Sequence, residues 1–78
     1  MAFTIDAVWA YVSRNDDNEE GICGFQDPRT KQWLPMIAGD KERLQVLRPF
    51  AHQIAKVTNK KVTLVKLSVR EDLETIDP

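Results

Sequence analysis

Residues 14–25 read RNDDNEEGICGF and set the carboxylates of Asp16, Asp17, Glu19 and Glu20 directly before Gly21. Oxygen donors crowded in this way are the raw material of a cation loop. In the calcium loop of helix-loop-helix proteins, oxygen ligands stand at positions one, three and five, glycine at six makes the sharp bend, and an acidic residue closes the site at twelve. Counting from Asp16 puts Asn18, Glu20, Gly21 and Asp27 in those places. Two features oppose a metal site. Position twelve needs the longer reach of glutamate to bind through both oxygens, and the flanking residues alternate like strands where the motif requires helices. The stronger expectation is a solvated hairpin tip at 15–20, whose acidic side chains keep the end of an apolar ribbon from pairing with other chains. Asp16, Asn18, Glu20 and Asp27 are retained only as a secondary metal candidate.

Groups suited to catalysis are thinner. His52 is the lone histidine and falls among Arg48 and Lys56 on the polar side of a helical pattern, with no neighbouring carboxylate to orient it as a general base. Cys23 lies inside a strand pattern between Ile22 and Gly24, a position typical of a buried, inert thiol. One cysteine and one histidine do not make a zinc site. The acidic residues Glu42, Glu71, Asp72 and Glu74 sit in first turns or on exposed faces of helical patterns, where the helix dipole accounts for them. Three glycines never take the spacing of a phosphate cradle. No catalytic residue and no cofactor is expected.

The aromatic residues carry more. Trp9, Tyr11, Phe25 and Trp33 fall in strand patterns and could stack bases of a single-stranded nucleic acid, but the adjacent tip is acidic and no basic groove accompanies them. A protein contact fits better. The stretch FTIDAVWAYVSR is apolar on both faces, with Trp9 and Tyr11 opposite Val8, Ala10 and Val12, whereas one helix covers one face of a sheet. Trp9, Tyr11, Trp33 and Met36 are therefore the interface candidates. The alternative is that these side chains simply fill the core of a small protein.

The elements that would position these residues follow from period and punctuation. The return strand of a hairpin is expected in EGICGFQ, a type I turn in DPRTK, and a third, short strand in QWLPMIAG, held to an edge by Pro35. In DKERLQVLRPFAHQIAKVTNKK, residues Leu44, Val46, Leu47, Phe50, Ala51, Ile54, Ala55 and Val57 share half of a helical wheel. Asp40 is the expected N-cap and Asn59 the left-handed stop. Pro49 lies on the polar half, which favours one bent helix over two. KVTLVKLSV reads as a fourth strand. Ser68 and Glu71 then form a capping box before Leu73 and Ile76, predicting a short C-terminal helix. The order βββαβα describes an α+β two-layer sandwich, an antiparallel meander followed by a helical crossover. The last strand should run parallel to the third, beside it or beyond the first.

Seventy-eight residues, 42% hydrophobic and 29% charged, suit a single small domain over 1–78, and a chain of this size buries only about 60% of its unfolded surface. Eleven basic residues against twelve acidic ones create no field that would select nucleic acid or an anionic membrane. The longest apolar run, Ala7–Val12, is too short to span a bilayer. A lone cysteine and the absence of a leader pattern suggest the cytoplasm. In outline the β-hairpin meander, the helix and strand of LRPFAHQIAKVTNKKV and the acidic tail resemble short bacterial and phage proteins, and the resemblance carries no functional residue across. The expected function is a non-catalytic protein-binding or regulatory module that forms a homodimer through an apolar sheet face. A small-ligand binder or minimal enzyme, a single-stranded nucleic-acid binder and a calcium-binding hairpin are the alternatives, in that order.

Overall fold

The structure, a computed structural model, describes residues 4–78; Phe3, expected to open the first strand, lies outside that range. The described residues form an α+β arrangement of antiparallel strands and one helix. The first strand, β1 (Val8–Arg14), is the spine of the main sheet. Along one edge it pairs with β6 (Thr63–Leu67) in the register Val8 to Leu67, Ala10 to Val65 and Val12 to Thr63. Along the other it pairs first with β2 (Glu20–Ile22), Val12 facing Ile22, and then with β5 (Ile37–Ala38), Trp9 facing Ala38. Between β2 and β5 the chain leaves the sheet as a separate two-stranded arm, β3 (Gly24–Gln26) against β4 (Trp33–Pro35).

The arm departs through a closed set of three backbone hydrogen bonds. The Tyr11 N–H donates to the Met36 carbonyl (3.1 Å), the Cys23 N–H to the Tyr11 carbonyl (2.8 Å), and the Met36 N–H to the Cys23 carbonyl (2.9 Å). Each of the two strands expected over 20–26 and 32–39 is therefore split, one at Cys23 and the other at Met36. The meander is replaced by a forked sheet. Both hairpin tips close on an Asx side chain. The Asn15 carboxamide oxygen accepts from the Asp17 and Glu19 amides, and the Asp27 carboxylate accepts from the Arg29 amide. Asn18 and Lys31 complete the tips in the left-handed region, each with φ 64°.

The helix α1 (Lys41–Thr58) is continuous through Pro49. Its N-cap is Asp40, whose carboxylate accepts the Arg43 N–H at 2.7 Å, and it stops at Asn59 in the left-handed region. Both ends fall where the sequence places them. The helix connects β5 to β6, which lie on opposite sides of β1 and both run antiparallel to it, so the last strand sits beyond the first. Leu47 and Ala51 point into a core with Tyr11, Cys23, Met36 and Ala38. Phe25 of the arm reaches the helix as well, stacked on Phe50 with ring centroids 5.0 Å apart.

No helix forms after β6. Residues 68–78 have no regular secondary structure, and Val69, Leu73 and Ile76 are almost fully exposed. The capping-box signal is present, but a helix of about nine residues is marginal in water unless its apolar stripe packs on something, and here the stripe is exposed.

Candidate functional site

The face that the helix leaves uncovered follows from strand geometry. Residues directly opposite across an antiparallel pair point to the same side, and sides alternate along a strand. Tyr11 and Ala38 lie under α1, so Val8, Ala10 and Val12 point the other way, together with Ile22, Ile37, Val65 and Leu67. Ala10 and Val12, paired with strands on both edges, are buried, while Ile22, Ile37 and Leu67 remain 51%, 38% and 56% exposed. The alternation carries on through Met36 into the arm, where Leu34 turns toward the helix side and Trp33 away from it. Trp33, 71% exposed, has the same parity as Ile37 but stands on the arm, a sheet separate from the main one. Charge appears at the β1–β2 end, where Arg14 and Glu20 face each other and pair at 3.4 Å.

The four interface candidates separate accordingly. Tyr11 and Met36 are core residues, 7% and 0% exposed, and offer no surface to a partner. Trp9 packs half-buried against the same core, with the Lys66 ammonium 5.8 Å from its ring centroid. Of the four, Trp33 alone is largely exposed, on the arm. The reasoning that β1 has two apolar faces and the helix covers one describes the molecule correctly, but the faces are exchanged. Trp9 and Tyr11 lie on the helix side, and Ile22, Ile37 and Leu67 meet solvent on the other. Periodicity fixes which residues share a face; which face the helix takes depends on how α1 crosses, and no local signal encodes that.

The other candidate groups do not converge. Asp16 pairs with Lys60 at 3.6 Å, Glu20 with Arg14, and Asp27 caps the far turn of the arm. Among the described residues no three His, Cys, Asp or Glu side chains are grouped to hold a metal ion. Cys23 is buried at the fork, on the β2–β5 side of β1. His52 is exposed at the rim of a groove on the β6 side. Of the stacking candidates, Tyr11 is buried, and Phe25 is occupied by Phe50. Among the described residues no helix is long and apolar enough to cross a membrane.

No protein-family model matches the chain, and neither the curated proteins nor the solved structures include a significant match to it.

Proposed function

We propose that the protein is a non-catalytic interaction module that pairs with a second copy of itself through the outer face of the forked sheet. The observation that carries this reading is the set of exposed apolar side chains on the outer face, Ile22, Ile37 and Leu67 beside the buried Ala10 and Val12, with Trp33 exposed on the adjoining arm; among the described residues the helix packs on the other face. Stacked sheets pack about 10 Å apart through side chains of this kind. A two-fold axis would lay the same patch on itself, the self-complementary arrangement of most homodimers. A net charge of −1 sets little repulsion between copies.

The test is molar mass by light scattering across a concentration series. Twice the 9.0 kDa chain mass is expected, and Ile22→Lys or Trp33→Ser, both at well-exposed positions, should return the protein to monomer with its circular dichroism unchanged. A mass that stays at one chain at every concentration defeats the reading. So does a dimer indifferent to both substitutions.

A further inference from the structure

Segment 68–77 carries instructions for a helix that the isolated chain does not follow. Ser68 and Glu71 hold capping-box spacing. Val69, Leu73 and Ile76 would share one helical stripe, with Asp72 along one border and Asp77 along the other. In the structure the segment has no regular secondary structure and those three side chains are 97%, 85% and 83% exposed. A groove of about 230 Å³ lies between α1 and β6, on the opposite side of the sheet from the face described above. Tyr11, Ala51, Ala55 and Leu64 give it an apolar lining, and Arg48 and His52 stand along its helix wall. Lys66, two residues beyond Leu64, points to the same side.

The charges are complementary. The segment sets Glu71, Asp72, Glu74 and Asp77 against a single cation, Arg70. Among the described residues Arg48, Lys66, Glu71, Glu74 and Asp77 take part in no ion pair. An amphipathic helix laid in a groove is a recurring mode of peptide recognition, and folding coupled to binding suits a segment that lacks a surface of its own. The chain's own tail is directed elsewhere. Arg70 donates to the Ile5 carbonyl at 3.1 Å and pairs with Asp72 at 2.7 Å, and Ser68–Val69–Arg70 contains no Gly, Pro, Asn or Asp for a tight reversal after Leu67. We propose that the C-terminal segment of one copy folds as a helix into the α1–β6 groove of another.

The experiment titrates a synthetic peptide of residues 68–78 into the dilute, isotope-labelled full chain. Amide shifts are expected at Tyr11, Ala51, His52 and Leu64, with a gain in helical circular dichroism. Arg48→Glu should weaken binding about fivefold, and a peptide carrying Glu71→Lys and Glu74→Lys should bind that variant better than the native peptide does. Absence of groove shifts at millimolar peptide overturns the proposal, as do shifts confined to Val8, Val12 and Ile37, or an affinity indifferent to both charge reversals. The sheet-face reading fails separately. In the Ile22→Lys variant the peptide should still shift the groove residues, whatever the molar mass.

Discussion

At the scale of single residues, the two hairpin tips use one device with unequal fitness. Both begin with an Asx side chain that accepts backbone amides, and both place a residue at positive φ, Asn18 in the first tip and Lys31 in the second. Asparagine tolerates the left-handed region because its short polar side chain bonds locally, whereas a lysine carries the full steric cost of its Cβ against the carbonyl. Lys31→Gly should therefore stabilise the protein by about 0.5–1 kcal/mol, read as a higher midpoint in urea at unchanged slope. Asn18→Gly should change stability by less. Loss of stability in Lys31→Gly would mean that the hydrogen bond from the Gln26 side chain to the Lys31 carbonyl, 3.1 Å, depends on the lysine backbone being stiff.

At the scale of elements, the helix is held from one flank. Its central stripe of Leu44, Leu47, Ala51 and Ile54 meets the sheet, and the flank bearing Phe50 is clasped by Phe25 of the arm. The opposite flank, with Arg48 and His52, stands over the groove beside β6. Phe50→Ala should cost about 2 kcal/mol, from lost apolar burial and the aromatic pair together. Val57→Ala, 75% exposed on the same flank, should change stability by less than about 0.5 kcal/mol. Equal losses in the two variants would show that the arm does not brace the helix. Much of this element was legible in the sequence, because Asp40, the 3.6-residue period and Asn59 act locally. The strand breaks at Cys23 and Met36 were not. The in-and-out alternation runs unbroken through both positions, and a strand that changes partners keeps its side-chain pattern. The C-terminal helix was misread for the reverse reason, since a local code was present and the surface it requires was not.

At the scale of the whole molecule, the chain is more open than its mass warrants. A compact monomer of this mass exposes about 4,900 Å² and has a radius of gyration near 11.5 Å, whereas this chain exposes 6916 Å² and has a radius of 14.7 Å. The surplus, about 2,000 Å², exceeds the roughly 800 Å² that each partner contributes to a standard interface. Exposed apolar side chains contribute to it on the outer sheet face, the arm, the helix and the C-terminal segment. If association covers it, stability is linked to concentration, and the thermal midpoint should rise on going from micromolar to millimolar protein. A midpoint independent of concentration would instead mark a chain stable in its open form. The fork has a further consequence, for tolerance to change. Cys23 and Met36 are already bonded to each other at 2.9 Å, so everything between them is joined to the sheet at a single point. Beyond Phe25, whose ring is held on Phe50, residues 27–32 therefore form a cassette. Its outer turn can lengthen, shorten or be exchanged for a foreign hairpin without moving the ends that enter the core, which makes Tyr11 and its two bonded neighbours a natural graft site on this scaffold.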